Sequence, residues 1–323
     1  MRHQKIWTFV VAVMALAGTL AHAEAQMEEP AADRLPVVAT TNIVGDIVAR
    51  VGGDRLSLYV MLPPGADPHA FRPSSRDARQ VADAAAVFIN GSGLEAGFLG
   101  DLIASAEPRL IVDLTAHLNL RRMEDEHEED EHDEEEGAHG HDHEHGEFDP
   151  HVWMDPTLVA DWSEEIAEAL AGVDPAHGAD FAERADALAG ELHALDAWVR
   201  ERVAAIPRDR RILVTDHDVF GYFADRYGFT VLDTIIPGFS TMSEPSARHL
   251  AALREAITEY GVPAIFVGLT VSSQTAQVIA DDLGIEVVSV YTGSLSEPDG
   301  PAATYQDFIR TNVERIVGAL AGS

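Results

Sequence analysis

From Leu35 onward, short apolar runs of strand length alternate with amphipathic stretches of helix length, and no other feature constrains the fold as much. Parallel strands cannot be joined by a tight turn, so such a chain builds parallel sheets with its crossover helices packed on their faces. Strands are predicted at 37–40, 56–62, 86–90 and 110–113, and helices at 43–51, 74–84 and 94–104. The pattern breaks at Glu124 and resumes at Phe148. A helix is expected at 156–170, with Asp155 as N-cap and Pro156 at the first position, where its missing N–H costs nothing. Residues 175–206 read as one much longer helix, because Phe181, Ala185, Leu188, Leu192, Leu195, Trp198 and Val199 recur at helical spacing. Beyond Pro207, strands at 212–215, 230–235, 264–267 and 286–290 alternate with helices at 219–227, 245–260, 273–283 and 303–320. The fold class is therefore α/β. Two lobes with parallel-type sheets flanked by helices, 35–174 and 207–323, are joined by one long helix at 175–206.

The first residues read as an address. Arg2 and Lys5 precede an uncharged apolar run from Ile6 to Leu20, and Ala21-His22-Ala23 has the small-x-small form of a cleavage site. The run is shorter than the roughly 20 residues a membrane span needs. A signal peptide over 1–23 is expected, with cleavage after Ala23 or after Ala25, and the mature chain is expected to be soluble in the periplasm. The sequence contains no cysteine, which excludes disulfides, thiolate metal sites, a cysteine nucleophile and a lipid-carrying cysteine. With 55 acidic against 22 basic residues, nucleic acid and anionic lipid would be repelled, whereas a cation would be attracted.

Residues 124–147 hold six histidines (His127, His132, His139, His141, His143 and His145), fourteen acids and no base. Such a segment buries too little apolar surface to offset its ordering entropy, so a mobile loop is expected. Neutral imidazoles bind zinc, copper and nickel, and the clustered carboxylates raise the local cation concentration. The alternation from His139 to His145 permits many chelate geometries and fixes none. Weak, plural and exchangeable metal binding is the expectation here.

Three other histidines sit in different company. His69 lies in Asp67-Pro68-His69-Ala70-Phe71-Arg72-Pro73-Ser74, His151 in Asp149-Pro150-His151-Val152-Trp153-Met154-Asp155-Pro156, and His217 in Thr215-Asp216-His217-Asp218. Two follow predicted strands and one precedes a predicted helix. In open α/β sheets ligands gather outside the carboxyl ends of strands, so a metal held by all three would join the lobes.

These segments, with Val219-Phe220-Gly221-Tyr222-Phe223-Ala224 after His217, resemble the zinc and manganese solute-binding proteins of ABC importers, the ZnuA-like group. The resemblance runs from about Val37 to the C-terminus and includes Pro237-Gly238-Phe239-Ser240, Ser243-Glu244-Pro245-Ser246 and 291–296. It implies two lobes joined by a rigid helix, with a transported metal at their interface held by His69, His151 and His217. It also implies an ABC permease with its ATPase as partner, with a periplasmic metallochaperone as a further one, and a monomer that is not an enzyme. Three imidazoles suit tetrahedral zinc, the expected cargo, better than manganese, which prefers oxygen and a higher coordination number. The family's manganese members usually carry a glutamate where His217 stands. Where many relatives place an aspartate as fourth ligand, this chain has Gly293. Asp299 is the candidate replacement, with water or Glu244 as the alternatives.

Competing readings are a manganese receptor of the same family, a periplasmic zinc buffer or chaperone built on the insert, a zinc hydrolase and a surface adhesin. The hydrolase reading lacks a His-Glu-x-x-His helix and an obvious general base, and the adhesin reading lacks a visible anchor.

Overall fold

In the computed structural model, residues 34–122 and 148–322 are described. The expected signal peptide and the six insert histidines lie outside them. Two four-stranded parallel sheets form the frame. The first contains β1 (Leu35–Ala39), β2 (Leu56–Val60), β3 (Ala86–Ile89) and β4 (Ile111–Asp113), in the order β2-β1-β3-β4. The second contains β5 (Ile212–Thr215), β6 (Thr230–Thr234), β7 (Ala264–Gly268) and β8 (Glu286–Val290), in the order β6-β5-β7-β8. The lobes therefore repeat one topology although no internal repeat is obvious in the sequence. In each, the chain leaves the first strand to one side, then returns to its other side. That reversal is the switch point beside which α/β sheets bind ligands. β3 and β7 are buried along their whole length, as expected of central strands covered on both faces.

The helices of the first lobe are α1 (Asn42–Gly52), α2 (Ser75–Asp83), α3 (Ala96–Ala106) and α4 (Pro156–Val173); those of the second are α6 (Gly221–Tyr227), α7 (Ala247–Tyr260), α8 (Gln274–Leu283) and α9 (Tyr305–Leu320). The long helix α5 spans Gly178–Val203, 26 residues, and is shorter than the expected 175–206. Pro175–His177 forms a separate tight turn instead, held by a 2.8 Å contact between His177 Nδ1 and Asp174. Several other helices start one or two residues later than periodicity suggests, because the residues before them serve as caps. Ser246 Oγ accepts from His249 N and Thr304 Oγ1 from Asp307 N, so α7 and α9 begin after these side chains. Before α3, the buried Glu95 carboxylate turns back to accept from the amides of Asn90 and Gly91 and from Thr40 Oγ1.

A continuous core runs through both lobes. It takes in Val37, Ile43 and Phe88 from the first, Leu213, Phe223 and Phe266 from the second, and Trp162, Phe181, Leu188, Leu192, Leu195 and Val199 from α4 and α5. The buried positions of α5 recur at intervals of three and four, so one stripe of a single helix serves both lobes. Two smaller clusters cover the outer faces of the sheets, one around Val38, Val87 and Phe98 and the other around Val214, Ile257 and Ile265. Polar contacts also cross the lobe junction. Asn42 Nδ2 donates to Ser294 Oγ and Asn42 Oδ1 accepts from Leu295 N, each at 2.9 Å. The Tyr305 amide donates to Asp46 (3.0 Å), and the Tyr305 hydroxyl donates to the Trp153 carbonyl (2.7 Å).

Candidate metal centre

Each of the three histidines is delivered by a different kind of segment. His69 lies in the loop between β2 and α2. His151 precedes a single tight turn, Val152–Met154, that leads into α4, whose first turn is capped by Asp155 and opened by Pro156. His217 follows β5 by two residues. Their ring centroids form a nearly equilateral triangle with sides of 5.4, 5.6 and 5.2 Å. The ligand nitrogens all lie within 4.8 Å of one another, and His69 Nε2 is 3.3 Å from His151 Nε2. Nitrogens bonded to one tetrahedral zinc at about 2.0–2.1 Å must lie about 3.3–3.4 Å apart, so this pair already stands at the required separation.

Two of the rings are locked from behind. His151 Nδ1 lies 2.8 Å from Asp149 Oδ1, which also accepts from the His151 amide. His217 Nδ1 lies 3.0 Å from Asp216 Oδ1, and the other oxygen of Asp216 accepts from Gly268 N at 2.8 Å. A carboxylate facing Nδ1 fixes the tautomer with the proton there, leaving the Nε2 lone pair free to ligate. Both rings are almost fully enclosed, at 1% exposure for His151 and 3% for His217. Trp153 and Phe239 pack against the His151 ring, and the Trp153 indole is anchored by a 2.7 Å bond to the Thr292 carbonyl.

Electrostatics favour the neutral imidazole at His69 and His151 but act the other way at His217. Burial, reinforced by repulsion from the other two rings, holds His69 well below the ordinary histidine range. Burial, with His217 beside it, does the same to His151. For His217 burial acts in the same direction, but Asp216 beside Nδ1, with Asp67 and Asp218 farther out, outweighs it and raises the group above its ordinary value. Burial pushes the carboxyls of Asp149 and Asp218 up to about 6.

Arg121 completes the support, and sequence reasoning gave no sign of it. Its Nη1 donates to Asp149 Oδ2 at 3.0 Å and its Nε to Asp225 of α6 at 2.7 Å, so one guanidinium links the acid behind His151 to the second lobe. The Tyr222 hydroxyl donates to the Asp149 carbonyl and accepts from the Arg121 amide. Gly221 makes this possible, because a Cβ there would lie 1.7 Å from Arg121 Nη1. Asp149 and Asp216 were within the segments read from the sequence, and an acid one or two residues before a ligand histidine was the available signal.

Of the sequence-predicted residues, His69, His151 and His217 are brought together. Asp299 is not: it is exposed in a turn closed by the Gly300 amide and the Glu297 carbonyl, outside the converging group. Glu244 is likewise exposed and outside it. The position of Gly293 is filled from the other lobe, since a Cβ there would meet Pro68 Cδ at 2.7 Å and Cγ at 3.0 Å. The proline next to His69 occupies the space that a side chain at 293 would need.

Comparison with known proteins agrees with this geometry. Residues 37–319 match the family described as zinc-uptake complex component A, periplasmic. Zinc-binding protein TroA of Treponema pallidum is 30% identical over 305 residues, covering 91% of this chain and 92% of that protein. Manganese ABC transporter substrate-binding lipoprotein PsaA of Streptococcus anginosus is 25% identical over 325 residues, covering 98% of this chain and 99% of the relative. Among solved structures, the periplasmic zinc-binding protein TroA from Treponema pallidum superposes with a TM-score of 0.78 at 27% identity, over 90% of this chain and 100% of that one. With a family match over almost the whole described chain, this protein belongs to the periplasmic zinc-uptake component A family.

Proposed function

We propose that this chain is a periplasmic zinc receptor that holds one ion between its lobes with Nε2 of His69, His151 and His217 and delivers it to the permease of an ABC importer. The observation that carries this reading is the convergence of three imidazole nitrogens with no carboxylate among them. Such a donor set is borderline-soft and suits zinc, with water completing the tetrahedron. Manganese is the ion named for the Streptococcus relative. A manganese site needs more oxygen ligands, and the position from which a carboxylate would come is Gly293, packed against Pro68. A hydrolytic role is disfavoured by Asp149 and Asp216 being engaged at Nδ1 and thus unable to serve as general base.

The permease and ATPase are proposed from the relative named as an ABC transporter component. Export with cleavage of 1–23 is proposed from the sequence pattern, and among the described residues no helix is long and apolar enough to cross a membrane. The His-rich insert is proposed as a second, softer reservoir. Its ends meet through an antiparallel bridge between Arg122 and Phe148 and a bond from the Asp149 amide to the Arg121 carbonyl, two residues from His151. Titration calorimetry of the mature chain should give one tight zinc per molecule that survives deletion of 124–147 and is lost in His217→Ala. Unchanged one-to-one affinity in His217→Ala would remove the interlobe site.

A further inference from the structure

We infer that His69 is the exchangeable ligand of the centre, the bond that forms last on capture and breaks first on release, with the ion passing through the interlobe cleft that His69 borders. This rests on the metal-receptor reading and adds an order of events to it.

The three imidazoles are not equivalent. To leave a metal, an imidazole must rotate its Nε2 away, which requires a free ring and space beside it. The His151 ring cannot do so without breaking its contact to Asp149, an acid itself gripped by Arg121, and without displacing Trp153 and Phe239. The His217 ring is held by Asp216, which the Gly268 amide fixes in turn. His69 Nδ1 has no hydrogen-bond partner among the described residues, and the residue is anchored through its backbone amide, which donates to Asp67 Oδ1 at 3.0 Å. His69 is half-buried and borders a cleft of about 480 Å³ walled by Phe71, Leu94, Phe148, Phe239 and Met242. Neither His151 nor His217 lines that space. An imidazole leaving the ion can swing into the cleft, keeping its lone pair, while water takes the vacated position on the metal.

The support of the His69 loop gives this exchange a trigger. The loop belongs to the first lobe, where Ala66 and Phe71 pack on the outer cluster, but its side-chain hydrogen bonds beyond the loop itself are to the second. Thr241 Oγ1 donates to Asp67 Oδ2 at 2.6 Å, the Gly65 amide donates to Ser294 Oγ at 2.8 Å, and the Pro68 ring lies against Gly293. His151 and His217 are held by acids within one or two residues of themselves. A slight parting of the lobes therefore loosens the His69 loop first, because the acids that orient the other two rings, Asp149 and Asp216, lie on the same lobe as the ring each one holds. Release by stages follows, with a two-imidazole intermediate still bound to the ion.

The test uses the full mature chain loaded with zinc, with dissociation followed by stopped flow into excess chromogenic chelator and stoichiometry measured by calorimetry. His69→Ala should retain one zinc per chain and release it at least about tenfold faster, and millimolar imidazole should slow that release by filling the cleft. Thr241→Val, which leaves every imidazole in place, should also accelerate release while keeping the stoichiometry. His151→Ala and His217→Ala should lose stoichiometric binding, with circular dichroism checking that they fold. The inference is overturned if His69→Ala abolishes binding while either other variant keeps it, if the three lose it equally, or if Thr241→Val and imidazole leave the rates unchanged. A wild-type chain that bound no zinc at one to one would instead remove the receptor reading itself.

Discussion

Asp216 shows how much of the proposed metal site lies behind the three imidazoles. Its two oxygens join His217 Nδ1 to the Gly268 amide, so the acid sets the tautomer and the direction of the ring. Asp216→Asn should keep one zinc per chain but weaken it by about 10–100-fold in calorimetry, the usual cost of losing an outer-shell carboxylate. The proton balance gives a second expectation at this scale. Burial lowers His69 and His151 well below their ordinary value, whereas Asp216 outweighs burial at His217 and raises it, so His217 is the first of the three to take up a second proton as pH falls. As pH falls through that raised value, zinc must displace this proton, and affinity drops. Where this ring alone titrates, a plot of log Kd against pH should have a slope near minus one, steepening as Asp149 and Asp218, pushed up to about 6, begin to titrate. A slope approaching minus three would mean that all three rings carry a second proton in the metal-free protein. The three converging histidines were legible in the sequence because each sits in a distinctive local segment. The packing of Pro68 on Gly293 was not, since the two are far apart in sequence and meet only across the lobe junction.

Among the elements, α5 carries the most. The sequence announced it through the spacing of Phe181, Leu188, Leu192, Leu195 and Val199, but not the acid embedded in that stripe. Asp196, buried between apolar turns, accepts from Arg226 through both oxygens and from the Tyr227 hydroxyl, binding α5 to α6. Arg226 also reaches Asp155, the cap of α4, at 3.2 Å. Burial alone would raise the Asp196 carboxyl, yet Arg226, Arg200 and Tyr227 together hold it below its ordinary 3.8. Its stabilising contribution is therefore present above the unfolded value and lost only as pH falls through the lower folded one. Asp196→Ala should cost about 1–3 kcal/mol in urea unfolding at pH 7, mainly by leaving the Tyr227 hydroxyl without its acceptor. The difference from wild type should shrink in strong acid. Helix starts were the least legible detail of the fold, because a cap is decided by one side-chain bond that periodicity does not register.

Over the whole molecule, the alternation of strands and helices foretold two lobes but not that they share one core. The stripe of α5 and the residues of α4 and α9 continue that core from one sheet to the other. Differential scanning calorimetry of the metal-free chain should therefore show a single cooperative transition; two resolved transitions would mean that the lobes unfold independently. A common core also limits lobe motion to a small rocking about α5, which suits a site where loss of a few contacts around one loop is enough to open a path. The bridge between Arg122 and Phe148 has a different consequence. A segment pinned at both ends adds to the folding free energy only through the logarithm of its length, about 0.6 kcal/mol for each doubling. The fold is thus nearly indifferent to how many residues lie between those two points. Shortening or doubling the span should leave the melting temperature within a degree or two, so the number of histidines and acids in it can change without renegotiating the architecture beneath it.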